Sequence, residues 1–392
     1  RRTTITAMMT MLPRSSSQFR GRRHASITRL DYTSCRRHSH VVRRRTTITT
    51  NSSIATLVVG ASGGTGRAAL QGMLEGGIAA KDIYVATRTV HSSRAKELVR
   101  DLHVNVVQMD LDEPNSVATA LKNSRAQAIY VHGTGADKGT ADPVEEQRAL
   151  DLAQAISTCT NIERVVYNSS GGPEREEDCR VSLMAQKRRI EHIYSNAIPT
   201  TTHLRATLFM EELWKKYTRP STLKGTFPFS LPPDCSLQLL SVYDMGKCAA
   251  RVIQSATAVD DSGDDDSLLE PFELVGKRIE LAGDELTISQ ICAAFAAAQG
   301  IPRVKQLRLP MWLLRILNGE LYNISAFYRD EGYHANIEAN EEMFGIRLLT
   351  FPEFLARTHW SDTSVSYETM RYHDVTTNNN DDDDDEESEE EF

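Results

Sequence analysis

An apolar run from Ile54 to Val59 ends at Gly60-Ala61-Ser62-Gly63-Gly64-Thr65-Gly66, and a helical pattern (Ala68, Ala69, Leu70, Met73, Leu74) follows directly. A buried strand that stops at glycine and continues as a helix admits few structures. The glycines permit a tight turn and a close approach of the backbone to a ligand. The helix start offers N–H groups without intrahelical partners and the positive end of the dipole. A pyrophosphate suits both features. The spacing is Gly60-x-x-Gly63-x-x-Gly66 rather than G-x-G-x-x-G, so the strand–turn–helix context carries the reading; incidental glycines in a βα turn are the plain alternative.

Beyond that turn, apolar runs and helical patterns alternate. Further strands are predicted at Asp82–Thr87, Asn105–Met109, Ala128–His132, Arg164–Asn168 and Thr201–Arg205. Helices are predicted at Thr65–Glu75, at Ser92–Leu102, from Glu113–Asn115 to Leu121 with Pro114 in the first turn, at Val144–Thr158 and at Arg180–Ser195. This alternation predicts an α/β fold, a doubly wound and mostly parallel Rossmann sheet over residues 53–208. The pattern then weakens, and residues 209–365 read as a smaller α/β C-terminal subdomain interleaved with the sheet. Within it, Phe209–Tyr217 looks helical, Leu237–Val242 reads as a short strand, and a helix opens at Tyr243 and runs to Gln254. A strand falls within Phe272–Leu281, and Thr287–Gln299 reads as an amphipathic helix ended by Gly300. Pro310–Ala326 reads as a single apolar helix whose Trp312, Leu313, Leu317, Leu321 and Tyr322 are expected in the core.

The ends differ from this body. The first fifty residues are rich in Arg, Ser and Thr, with no Lys and one acid, Asp31. Residues 1–52 fit a mitochondrial or plastid transit peptide. A basic nucleic-acid-binding arm, which would usually include Lys, and translated upstream sequence are the other readings; in each the segment stands apart from the fold. Residues 366–392 end in an Asp/Glu run expected to be disordered, and Asp260–Asp266 is read as a solvated acidic loop. The net charge of −8 therefore reflects the ends, and the balanced body carries no nucleic-acid footprint. No apolar run reaches the ~18 residues a membrane span needs. The six Cys lack C-x-x-C spacing, which argues against a zinc site or a disulfide framework.

Several residues fall where such a sheet meets a dinucleotide. Arg88 follows the second strand, where an acid would hold a free ribose 2′-hydroxyl and an Arg accommodates a 2′-phosphate; NADP(H) is thereby favoured over NAD(H). A surface Arg paired with Asp82 or with solvent is the plain reading. Asp110 follows the third strand, within reach of the adenine, and His132-Gly133-Thr134-Gly135 follows the fourth. A lone His at a strand end is more often structural. Asn168-Ser169-Ser170-Gly171-Gly172 closes the fifth strand, at the crevice. A short-chain dehydrogenase needs Tyr-x-x-x-Lys on the fifth helix, the Tyr moving the proton and the Lys lowering its pKa. Lys187 stands on that helix, but Leu183 occupies the Tyr position. Lys187 is a candidate catalytic base if desolvated beside the nicotinamide; otherwise it binds the nicotinamide ribose. Tyr194 is out of register, and Tyr167 is expected to pack.

Taken in order, these segments resemble the NmrA-like family of atypical short-chain dehydrogenases. The matching pieces are the glycine turn, Arg88, Val107-Gln108-Met109-Asp110-Leu111-Asp112, Arg164-Val165-Val166-Tyr167-Asn168-Ser169 and Lys187-Arg188-Arg189-Ile190-Glu191. They continue through Leu204-Arg205-Ala206-Thr207-Leu208-Phe209-Met210-Glu211, Ser241-Val242-Tyr243-Asp244-Met245-Gly246-Lys247, Gly276-Lys277-Arg278-Ile279-Glu280-Leu281, Gly332-Tyr333 and Phe351-Pro352-Glu353-Phe354-Leu355. The resemblance spans about residues 54 to 360. It implies an NADP(H)-binding protein that is an NADPH-dependent oxidoreductase or a redox sensor, or else a non-catalytic regulatory or complex-assembly factor in an organelle. Its partners would be a small-molecule substrate or a regulatory protein. By the same resemblance Gly60, Ala61, Ser62, Gly63, Gly64 and Thr65 lie on the pyrophosphate and Arg88 on the 2′-phosphate. Asp110 and Leu111 lie by the adenine, and Val131, His132 and Gly133 form the central turn. Lys187 lies by the nicotinamide, and Phe209, Met210, Glu211 and Glu212 line the ring pocket. The chain departs from the family pattern at Ala206, where a Pro is usual, and at Glu212, where an Asn is usual.

Overall fold

The computed structural model describes residues 54–61, 63–133, 140–255 and 274–374. The basic N-terminal segment, Ser62, Thr134, Gly135, the acidic loop at Asp260–Asp266 and the acidic tail lie outside the described residues.

In chain order the first half reads β1 (Thr56–Val59), α1 (Gly64–Glu75), β2 (Ile83–Thr87), α2 (Ser93–Leu102), β3 (Asn105–Gln108), α3 (Pro114–Ser124), β4 (Ala128–Val131), α4 (Pro143–Ser157), β5 (Arg164–Ser170), α5 (Ser182–Ala197) and β6 (Thr202–Ala206). Then follow β7 (Leu208–Phe209), α6 (Arg219–Leu223), β8 (Thr226–Pro228), β9 (Ser236–Leu240), α7 (Val242–Gln254), β10 (Arg278–Leu281), β11 (Asp284–Thr287) and α8 (Ile288–Ala298). The chain continues through β12 (Lys305–Leu307), α9 (Met311–Leu317), α10 (Gly319–Asp330), α11 (Ile337–Phe344) and α12 (Phe351–Arg357).

Seven strands pair in parallel in the order β10-β6-β5-β4-β1-β2-β3, a doubly wound α/β sheet. The order reverses between β1 and β4, which makes their C-terminal ends the switch point. Side chains alternate between two cores as the pleat requires. Leu57, Val59, Ile129, Val131, Val165 and Tyr167 pack under α3, α4 and α5. Val58, Tyr130, Val166 and Leu204 pack with α1 and α7 on the other face. The approach of α1 to α7 depends on two glycines. A Cβ on Gly72 would fall on the Tyr243 carbonyl oxygen, and one on Gly246 on the Ala69 carbonyl oxygen.

Capping sets many helix limits. Ser92, Asp142 and Ser241 accept from backbone N–H groups in the first turns of α2, α4 and α7. Capping boxes at Thr287/Gln290 and Thr350/Glu353 start α8 and α12.

The C-terminal region differs from the sequence reading in three places. The strand expected at Leu237–Val242 ends at Leu240, because Ser241 turns to cap α7. Phe209–Tyr217 is not a helix but a short strand followed by a 3-10 turn at Met210–Trp214. The single helix expected over Pro310–Ala326 breaks at Asn318, which closes α9 and whose side chain accepts from Leu321 N–H to start α10. Its named core candidates are not buried: Trp312, Leu317 and Leu321 are exposed and Leu313 and Tyr322 half-buried, while Leu314 and Ala326 are the apolar residues of this stretch that enter the core. A break at Asn318 rotates the two halves out of a common stripe, so the apolar run cannot turn inward as one face.

Candidate functional site

The site begins where β1 stops. Gly60 has φ +85°, and a Cβ there would collide with the Gly133 carbonyl oxygen. His132 N–H donates to the Val59 carbonyl at 3.0 Å, so the ends of β1 and β4 are drawn together over the switch point. Gly66 is excluded from bearing a side chain because its Cβ would strike Ala61 Cα and the Gly60 carbonyl, which seats the first turn of α1 on the strand end. Gly63 is the opposite case. It is the N-cap of α1 in extended conformation (φ −81°, ψ 170°), and a Cβ there would meet nothing within 4 Å among the described residues. No side chain caps this helix, and its first turn carries no acid. The first-turn N–H groups thus have no intrahelical partner and, among the described residues of that turn, no acid beside them.

Arg88 extends from the same edge. The register Val58↔Val85 sets Arg88 at the level of Ala61, and the side chain is exposed. It does not pair with Asp82 among the described residues, and Asp112 nearby is held instead by Arg148 through two 2.6 Å bonds. Asp110 and Leu111, half-buried, follow β3 on this edge; the Asp110 carboxylate accepts from Asp112 N–H at 3.1 Å and shapes its own turn. Gly60, Ala61, Gly63, Thr65, Arg88, Asp110 and Leu111 therefore share one end of β1–β2–β3, with Val131, His132 and Gly133 beside them at the end of β4.

On the other side of the switch point, His132 is buried and hydrogen-bonded at Nδ1 to the Tyr130 hydroxyl (3.1 Å), while Asn168 Nδ2 donates to its carbonyl (2.7 Å). Burial, and then the charge of Lys187, hold its imidazole down to about 4, so it is neutral at physiological pH. The Phe209 ring stacks on it at 6.4 Å. Lys187 Nζ makes a 2.7 Å ion pair with Glu145 of α4 and sits 5.4 Å above the Tyr167 ring. Tyr167 and Tyr194 are buried against each other, and Leu183 packs against the core. No hydroxyl acid occupies the place four residues before Lys187.

Of the remaining sequence candidates, Met210 and Glu211 lie inside the core with no exposure. Glu211 Oε1 accepts from Val242 N–H (2.8 Å) and from the Tyr372 hydroxyl, and burial pushes its carboxyl up to about 8. Glu212 pairs with Lys215 at 2.7 Å and accepts from the Tyr217 hydroxyl at 3.0 Å.

Three features escaped the sequence reading. One is Glu145, the partner of Lys187. A second is a buried network in which Glu191 binds Arg188 (2.9 Å), Arg205 (2.6 Å) and the Ser169 hydroxyl (2.6 Å). Arg188 also donates to the carbonyls of Ser170, Gly171, Gly172 and Pro173, fixing the loop after β5. The third is Glu280, which accepts from Gly172 N–H (2.8 Å) and His334 N–H (3.1 Å) and ties the Gly332-Tyr333 turn to that loop. The Lys187–Glu191 and Leu204–Glu211 segments held the signal for the second network, in charged residues on otherwise buried elements.

A model of the NmrA-like family matches residues 51–355 of this sequence, across the glycine turn, the main sheet and the C-terminal elements. The chain belongs to the NmrA-like family. No curated protein matches it in sequence. Solved structures do resemble this NmrA-like chain. One is an Escherichia coli NADPH-dependent quinone oxidoreductase complexed with NADPH (16% identity, covering 76% of this chain and 98% of that one, TM-score 0.57). Another is Citrobacter sp. triphenylmethane reductase complexed with NADP(H) (15% identity, 76% and 98% covered, TM-score 0.58). A third is NmrA, a negative transcriptional regulator, in complex with NAD (18% identity, 80% and 96% covered, TM-score 0.56). At such identities the likeness shows the fold.

Proposed function

We propose that this NmrA-like protein binds NADP(H) across the C-terminal ends of β1, β2 and β4 and acts as a sensor of the dinucleotide. The observation that carries the binding reading is the turn at Gly60–Gly66, closed against Gly133 yet open above Gly63 at an uncapped helix start. The residues present fit the group: Gly60 to Thr65 would take the pyrophosphate on backbone N–H groups and Arg88 the 2′-phosphate. Asp110 and Leu111 would border the adenine, and Val131 to Gly133 the ribose. Lys187 and Phe209 would border the nicotinamide. The bound dinucleotide supplies hydride chemistry.

The sensor reading rests on the proton side. Leu183 cannot donate, Lys187 Nζ is engaged by Glu145 at 2.7 Å, and His132 is neutral with Nδ1 already bonded. With its Nζ engaged by Glu145, Lys187 is suited to bind and orient the nicotinamide end. An NADPH-dependent reductase is the second reading, supported by the intact crevice and by the NADPH-dependent quinone oxidoreductase and the NADP(H)-complexed triphenylmethane reductase among similar structures; its proton would come from solvent. The test is NADPH oxidation by the full chain against a panel of quinones and carbonyl compounds, with binding measured in parallel. Binding without oxidation is the expected result. Steady turnover would overturn the sensor reading in favour of the reductase, and its persistence in Lys187→Ala would fit a solvent proton.

A further inference from the structure

Ten large apolar side chains are exposed among the described residues, and six of them (Leu307, Leu309, Trp312, Ile316, Leu317 and Leu321) fall in the stretch from β12 through α9 to the start of α10. Scattered exposed apolar residues need no explanation, but a cluster does. Trp312, Ile316 and Leu317 are 66%, 73% and 65% exposed. The same stretch carries Arg303, Lys305, Arg308 and Arg315, all exposed, and from Ile301 to Gly319 it contains no Asp or Glu. None of the four cations makes a salt bridge among the described residues, although the chain as a whole is acidic.

We infer that the β12–α9–α10 face docks on an anionic phospholipid membrane surface, with Trp312, Ile316 and Leu317 entering the headgroup boundary and the four cations facing lipid phosphates. Charge complementarity selects this occupant: cations that make no salt bridge among the described residues fit an anionic surface, and projecting apolar side chains fit a soft layer that closes around them. Trp suits that depth, with an apolar ring and a polar N–H. No helix among the described residues is long and apolar enough to cross a membrane, so the contact is peripheral.

The test is sedimentation of the full chain with vesicles of phosphatidylglycerol mixed with phosphatidylcholine, against phosphatidylcholine alone. The protein is expected to sediment with the anionic vesicles only and to be released by salt. Trp214 and Trp360 are buried, so Trp312 should dominate a blue shift of tryptophan fluorescence on vesicle addition. The Trp312→Ser/Ile316→Ser/Leu317→Ser variant removes no core side chain and should weaken binding roughly tenfold or more. Arg308→Gln/Arg315→Gln should weaken it about fivefold per cation. Failure to sediment with anionic vesicles overturns the inference, as does binding unchanged in the triple apolar variant. A dimer in solution that the triple variant abolishes would assign the face to a second copy instead. Vesicle binding that appears only after removal of residues 375–392 would assign it to the acidic tail.

Discussion

Gly60 and Gly63 stand three residues apart under opposite constraints. Gly60 is glycine because φ +85° and the Gly133 carbonyl leave no room for a Cβ. Gly63 has room: a Cβ there would meet nothing within 4 Å among the described residues. Both were legible in the sequence, because turn chemistry is local and glycine is the residue that satisfies it. Arg88 was legible for the same reason: its place follows from the end of β2. Glu145 was not, since its bond to Lys187 joins residues 42 positions apart and depends on α4 packing against α5. At this scale the NADP(H) assignment predicts that Arg88→Ala lowers the preference for NADPH over NADH by roughly tenfold or more, the worth of charge-assisted bonds to one phosphate. Dissociation constants for both dinucleotides check it, and an unchanged ratio would show that Arg88 does not meet the 2′-phosphate.

The elements of the main sheet were readable because strand and helix periods alternate cleanly from Ile54 to Arg205. The smaller sheets were not. β7 has two residues and β8 and β12 three each, too short to show a period, and their pairing is settled by partners far away in the chain. Asn318 explains the missed break: its side chain favours a cap over continuation, a preference that an apolar run of similar composition hides. The contact between α1 and α7 was also hidden, since a glycine within a helix has no sequence signal for close packing. Gly246→Val should force these helices apart and cost about 3 kcal/mol or more, as overpacking at a backbone contact does. Thermal or denaturant unfolding measures it, and a loss below about 1 kcal/mol would mean that the helices are not so close.

At the scale of the whole molecule, buried titrating groups set the pH dependence of stability. His132 and His203 are both held down to about 4 by burial, from 6.5, so the unfolded chain binds protons there that the folded chain does not. Stability therefore rises with pH across roughly 4 to 6.5. Glu211 has the opposite sign. Burial raises it from 4.5 to about 8, and its Oε2 lacks a hydrogen-bond partner, so the folded chain keeps a proton that the unfolded chain has released. Its contribution falls as pH rises to about 8. Two histidines outweigh one carboxyl below 6.5, and Glu211 acts alone above it. Stability should peak near neutrality on the acid side and then decline by on the order of 1.4 kcal/mol per pH unit. Unfolding followed from pH 4 to 8 in the wild type and in Glu211→Gln checks this: the variant should keep the rise and lose the decline. A decline that persists in the variant would place the proton elsewhere.

The central claim is that the open space above Gly63 is a dinucleotide cradle. Calorimetric titration of NADPH into the wild type and Gly63→Val tests it most directly. The extended backbone and free space at Gly63 let valine fit with only the loss of a favourable N-cap residue, about 1 kcal/mol, while its side chain fills the cradle. The account predicts that the wild type binds NADPH and that Gly63→Val, still folded, binds it roughly 100-fold more weakly. A wild type that does not bind, or a folded Gly63→Val that binds as well, would contradict it.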